Sequence, residues 1–180
     1  MIALVPVTVA VAQAVLRYDG TDGIDGIDGI DGIDTVLGEL SRVADWPHDD
    51  TCDALRGLAE HPDDTGPGTF LVVLQSGKRA DTVIGDCGWF GPPSVQEHGR
   101  STEPDGQVEI GYGLAPSARG AGHGRAAVAL LIDWVREQGA TSVRAEVLPG
   151  NEPSLRLLTG LGFTRDGARA GHEVLVRDLG

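Results

Sequence analysis

Lysine is almost missing from this chain: Lys78 is the only one, and arginine supplies the rest of its 14 bases. Against 27 acids these leave a formal net charge of -13, which electrostatically opposes a sequence-independent grip on nucleic-acid phosphates. Cationic partners suit such a chain better. Cysteine is equally scarce. Cys52 and Cys87 stand at unrelated spacing, which argues against a disulfide framework and a four-ligand zinc site. Reduced thiols in a cytoplasmic protein without metal are expected, and Cys87 has no activating base near it in sequence. No apolar run reaches the ~18 residues that a membrane span needs. The apolar start, residues 1–16, has no Lys or Arg ahead of it and is interrupted by Pro6, so it does not read as a signal peptide.

What remains is a soluble globular chain of 180 residues, 41% hydrophobic and 23% charged, read as one domain over 1–180 without an internal linker. Its one low-complexity segment is the four-fold Gly-Ile-Asp run within residues 20–34. Glycine recurs there too often for a helix and collagen's proline is absent, so the run reads as a flexible acidic insertion inside the domain. Its aspartates match neither the EF-hand spacing nor the calcium-binding nonapeptide.

Along the chain, Ile2 to Val7 reads as a strand, and Thr8 is placed to cap a helix ending near Leu16. Thr35 to Ala44 is weakly helical. Trp46-Pro47-His48-Asp49-Asp50 is turn-like, and a helix capped by Asp50 or Thr51 runs to Glu60. Residues 61–68 and 91–106 carry loop chemistry. Thr69 to Leu74 and Thr82 to Phe90 read as a hairpin, with Trp89 and Phe90 as core. Gln107 to Leu114 alternates, placing Val108, Ile110, Tyr112 and Leu114 on one face and Gln107, Glu109, Gly111 and Gly113 on a nearly bare one. A helix follows through Ala127, Leu130, Leu131, Trp134 and Val135 to a stop at Gly139. Ser142 to Leu148 alternates as a strand. Asn151-Glu152-Pro153-Ser154 opens a helix ending near Gly160 to Gly162, and Phe163 to Arg165 and His172 to Arg177 finish as strands. This order predicts a mixed α/β layer around one sheet.

The segment Arg119-Gly120-Ala121-Gly122-His123-Gly124-Arg125 joins a strand to a helix. Backbone N–H groups and the positive end of the helix dipole converge there, glycines allow close approach, and two arginines add charge, which together point to a bound phosphate. A Walker loop would need Gly-Lys followed by Ser or Thr, and the dinucleotide fingerprint would need glycine at 125; both are absent.

This run, RGAGHGR, resembles the R-x-x-G-x-G/A acyl-CoA pyrophosphate loop of the GNAT superfamily of acetyl-CoA-dependent N-acyltransferases. GDCGWFGPP at 85–93, VEIGYGLAP at 108–116 and NEPSLRLLTGLGF at 151–163 fall in that superfamily's order. The resemblance covers Thr69 to Arg177 well and the first third loosely. The Asn-x-x-Ser spacing followed by Gly-Phe is most similar to the branch that includes the ribosomal-protein N-terminal acetyltransferases. Another branch carries a tyrosine acid seven residues after the Asn, where this chain has Leu158.

The resemblance implies a single α/β (α+β) domain whose mixed, mostly antiparallel sheet of six to seven strands is flanked by helices. It implies acetyl transfer from acetyl-CoA, as co-substrate, to a primary amine such as a peptide N-terminus or a small cationic amine, by direct attack and without nucleic acid or membrane partners. Arg119, Gly120, Ala121, Gly122, His123, Gly124 and Arg125 would anchor the pyrophosphate. Leu114 and Ala115 would lie against the pantetheine, with a backbone N–H of their strand on the thioester oxygen. Asn151 and Ser154 would meet the pantetheine or the departing sulfur, so Ser154 joins Glu109 as a catalytic candidate, Glu109 acting as the base through a water. Glu146 is a weaker candidate base. His48 and Asp49 either border the acceptor pocket or form a turn and a cap. A non-catalytic acyl-CoA sensor or interaction module is the alternative function, and a homodimer is left open.

Overall fold

A computed structural model describes residues 1–17, 41–60, 68–77, 80–90 and 106–180. The Gly-Ile-Asp run, most of the 61–68 loop and nearly all of the 91–106 connection lie outside the described residues. The chain divides into two compact units, Met1–Asp86 with Gly113–His123, and Cys87–Tyr112 with Gly124–Gly180. Two strands, β4 (Thr82–Phe90) and β5 (Gln107–Leu114), contribute residues to both.

In the first unit, β1 (Ile2–Pro6) pairs antiparallel with β3 (Thr69–Leu74), Ile2 opposite Leu74 and Pro6 opposite Phe70. Phe70, Leu71, Val72 and Val73 are all buried, the unbroken apolar run of a strand covered on both faces. Each such burial contributes about 1.5–3 kcal/mol. Thr8 caps α1 (Val9–Arg17): its Oγ1 accepts from the Val11 N–H at 3.3 Å, satisfying a donor that the first helical turn leaves orphaned. Val11, Ala12 and Val15 form the buried stripe of this helix.

Two expectations are corrected in this unit. The weakly helical Thr35 to Ala44 is a strand where it is described, β2 (Ser41–Arg42), parallel to β4 with Ser41 opposite Thr82. Val43 is buried there and donates its N–H to the Val83 carbonyl at 3.1 Å. Burying that side chain outweighs a helix propensity of a few tenths of a kcal/mol per residue. The second helix, α2 (Asp49–Glu60), opens before its expected caps. The His48 carbonyl takes the Cys52 N–H at 2.9 Å, and Asp49 and Asp50 sit in the first turn, where the helix dipole favours negative charge. Thr51 is instead buried, its hydroxyl committed to Asp86.

In the second unit, β6 (Ser142–Val147) pairs antiparallel with β8 (His172–Asp178), which pairs antiparallel with β7 (Thr164–Arg169). Helix α3 (His123–Glu137) buries Ala127, Val128, Leu131, Ile132 and Val135, and Gly139, at φ +92°, follows its end. Leu130, expected in the core, is 42% exposed; Val128 and Ile132 occupy the stripe instead. Trp89 packs edge-on against Trp134 with ring centroids 5.3 Å apart, a core contact as expected. The expected alternation in β6 fails at Arg144, which is buried between Val143 and Ala145 because it is paired. The final helix, α4 (Glu152–Gly160), begins at the predicted Asn151. The architecture is a mixed α/β fold with strand order β1-β3-β4 in the first unit, β2 pairing with β4, and β5-β6-β8-β7 completed in the second. No helix among the described residues is long and apolar enough to cross a membrane.

Candidate active site

The strand β5 is where both units place functional groups. In the second unit its parallel pairing with β6 covers only Gln107, Val108 and Glu109, opposite Ser142, Val143 and Arg144. Both strands continue, yet the ladder between them stops. Ile110, Gly111 and Tyr112 therefore present backbone groups on the β6 side that no β6 residue takes up, and such groups seek a partner.

At the last paired rung, Glu109 accepts a hydrogen bond from the Arg144 guanidinium, and Glu146 lies 3.7 Å from the same group. The chain thus uses its two candidate bases to compensate one buried cation, because an unpaired buried charge is costly. Farther along, the Tyr112 hydroxyl stands 2.6 Å from Ser154 Oγ. Burial pushes the Tyr112 phenol above its usual range, the Ser154 bond pulling weakly the other way. The phenol therefore stays protonated near neutrality. Asn151 is the N-cap of α4, its Oδ1 accepting from the Ser154 N–H at 3.3 Å, so its side chain orders the turn that carries Ser154. Leu158 is fully buried core.

In the first unit the end of β5 lies against β4. A Cβ on Gly85 would stand 2.3 Å from the Gly113 carbonyl oxygen, so only glycine permits this approach. The neighbouring Ala115 is fully buried and donates its N–H to the Ile84 carbonyl at 3.0 Å. The Leu114 carbonyl accepts from Arg119 Nε at 2.9 Å and faces His48 Nε2 at 3.2 Å. A carbonyl only accepts, so His48 donates its Nε2–H to Leu114. Asp45 receives the Ser117 N–H and hydroxyl at 2.8 and 2.7 Å, and these bonds, the hydroxyl's first, hold its carboxyl below the usual range.

The glycine loop itself is open. Gly120 and Gly122 have φ of +79° and +81°, and nothing lies within 4 Å of where a Cβ would stand on either. Ala121 is exposed, and His123 opens α3 with Gly124 buried behind it. Arg125 is exposed, but its guanidinium stands over Gly160 near the end of α4, 2.5 Å from where a Cβ on Gly160 would be. The loop backbone is thus uncovered at Gly120 and Gly122, ahead of the first turn of α3, where N–H groups suit an anion.

Two residues escaped the sequence reading. Alternation puts Tyr112 on the core face, and no local motif singles out Asp86 within Ile84-Gly85-Asp86-Cys87. The available signal for Asp86 is an acid inside an otherwise apolar strand. Its Oδ1 accepts from Trp46 Nε1 at 2.8 Å and from Thr51 Oγ1 at 2.7 Å. Desolvation raises its carboxyl above the usual range, against the opposing pull of those two bonds and of His48. No group of three His, Cys, Asp or Glu residues is placed to hold a metal among the described residues.

Residues 38–164 match the family described as the acetyltransferase (GNAT) domain. The uncharacterized N-acetyltransferase p20 of Bacillus licheniformis is 35% identical over 109 residues, which cover 58% of this chain and 52% of that protein. This chain therefore spans about half the length of that curated relative. The ribosomal-protein-alanine N-acetyltransferase of Brucella melitensis has a similar fold, with TM-score 0.57, 23% identity and 99% of each chain covered. So has yncA of Salmonella typhimurium, an acetyltransferase solved with acetyl-CoA, at TM-score 0.57 and 19% identity, covering 99% of this chain and 94% of that one.

Proposed function

The chain belongs to the GNAT acetyltransferase family, and on that premise we propose that it transfers an acetyl group from acetyl-CoA to a primary amine by direct attack. The observation that carries the reading is the early end of the β5–β6 ladder. It leaves the backbone from Ile110 to Tyr112 free to pair with an extended amide-bearing ligand, and pantetheine is one.

Acetyl-CoA supplies an acyl group activated as a thioester. The loop from Arg119 to Gly124 cradles its pyrophosphate with backbone N–H groups, Arg119 adding charge beside them. A backbone N–H of β5 polarises the carbonyl oxygen as charge develops on it. Glu109, through a water, takes the proton that the attacking amine gives up as its nitrogen bonds to the carbonyl carbon. Ser154 gives its hydroxyl proton to the sulfur as the carbon–sulfur bond breaks. That role requires the Tyr112 hydroxyl, 2.6 Å from Ser154 Oγ, to be the donor of the pair, so that the serine proton is aimed elsewhere, and Asn151 fixes the turn. Two protons are thereby accounted for, one taken from the amine and one given to the thiolate. Ser154 is replenished from solvent.

The test is release of free CoA thiol from acetyl-CoA with a panel of primary amines and peptide N-termini. Amine-dependent release supports the reading. Measurable acetyl-CoA binding without release for any amine favours a non-catalytic acyl-CoA module.

A further inference from the structure

We infer that Asp86 is the seat of the acceptor's ammonium group, with its Oδ2 receiving an N–H from a primary alkylammonium while Trp46 and Thr51 hold Oδ1. This deepens the acetyltransfer reading and rests on it.

The argument starts from how the carboxylate is held. Both donors on Oδ1 are neutral, an indole N–H and a hydroxyl, and come from the segment before α2 and from its first turn. They fix the plane of the carboxylate and leave its charge in place. Among the described residues Oδ2 has no hydrogen-bond partner. Asp86 as a residue is only partly buried. A carboxylate oxygen held in a fixed plane and left without a protein donor among the described residues, inside a unit otherwise packed with apolar side chains, is the complement of a cation that carries N–H donors.

The surroundings agree. Among the described residues no arginine or lysine is paired with Asp86; the titratable groups whose charge it feels are His48, which favours the carboxylate, and Asp50, which opposes it. The neighbouring Gly85 lies against Gly113 at the end of β5. Over Gly113, a Cβ would meet only the His48 ring edge, at 3.6 Å. Asp86 therefore sits one residue from a bare stretch of β5, within the same unit as the start of the phosphate loop. Desolvation raises its carboxyl, as expected for a carboxylate whose counter-ion is not supplied by the protein.

The recognised class is an alkylammonium, in contrast to an amine that is neutral in solution. The experiment compares benzylamine, cationic near neutral pH, with aniline, neutral there, as acceptors for the full-length protein and for Asp86→Asn. Asn keeps an oxygen acceptor for Trp46 and Thr51 and removes only the charge. In the variant, KM for benzylamine is expected to rise about 10- to 100-fold, the worth of a charge-assisted hydrogen bond. KM for aniline and for acetyl-CoA should stay unchanged, so the native preference for the cation disappears. Should Asp86→Asn fail to fold, Asp86→Glu keeps the charge but displaces it by one methylene, and is expected to raise the benzylamine KM by a smaller factor. An unchanged benzylamine KM in a folded variant overturns the subsite and leaves acetyltransfer standing. No thiol release by the native protein with any amine overturns the acetyltransfer reading and the subsite with it.

Discussion

Two strand carboxylates of this protein, one in each unit, are held in opposite ways. Glu109, in the second unit, is tied to the Arg144 guanidinium, so its charge is compensated from within the fold. Asp86, in the first, is tied to an indole and a hydroxyl, so its charge stays available. An acid beside arginine is already engaged, whereas one beside neutral donors is oriented without being neutralised. The contrast is what supports the two roles proposed for residues that look alike in sequence: proton transfer through water for Glu109, and cation recognition for Asp86.

The largest expected effect tests the Glu109 side. Glu109→Gln should lower kcat by about 100-fold while leaving the KM for acetyl-CoA unchanged, as loss of a general base does. It should also destabilise the fold by about 1–2 kcal/mol, a moderate cost because Glu146 remains near Arg144 and the pair is not fully buried. Denaturant unfolding beside steady-state kinetics checks both numbers. Unchanged turnover would remove Glu109 from the mechanism and end the comparison on that side.

Gly85→Ala comes next. Its Cβ meets the Gly113 carbonyl, which is backbone, as well as the Leu114 side chain, so about 1–3 kcal/mol of stability should be lost, together with the placement of Asp86 beside β5. A thermal midpoint equal to the native one would show that the two strands need no glycine there. Tyr112→Phe, which removes only the hydroxyl beside Ser154, should lower kcat severalfold and cost about 1 kcal/mol in stability. If kcat held while stability fell, the phenol would be structural alone.

The smallest effect lies in the pH dependence of stability, and it has a sign. Asp86 is raised, so between the ordinary aspartate pKa of about 3.9 and its higher folded value the native state binds more protons than the unfolded one, and stability falls as pH rises through that window. Asp45 is lowered, so its contribution is present above the ordinary value and is lost as pH falls through its folded value. Asp86→Asn should remove the first slope and Asp45→Asn the second, read from denaturant midpoints across the acid range. Equal slopes in native protein and Asp86→Asn would show that the carboxylate is not strained by burial.

Much of this protein is legible from local sequence. The helix α4 begins at Asn151 because an Asn side chain can accept the N–H three residues on and Pro153 suits a first turn. Thr8 caps α1 in the same way, and the bounds of β3 and β4 match the apolar runs that form them. The left-handed glycines of the phosphate loop follow from residue type and spacing. In each case partner and signal lie within a few residues of each other.

What the sequence did not reveal are bonds that close long loops. Trp46 and Asp86 are 40 residues apart, Tyr112 and Ser154 are 42, and Glu109 and Arg144 are 35. Local periodicity placed Tyr112 among core residues, made Arg144 look like a surface position, and read β2 as helix, because none of these fates depends on near neighbours. The sequence by itself determined most of the elements, the caps of α1 and α4 and the glycine loop before α3, since these rest on propensities and hydrogen bonds within one or two turns. Only the tertiary structure decided which acid meets a cation and which meets neutral donors, because that choice depends on whether an arginine or an indole arrives from a distant strand or loop.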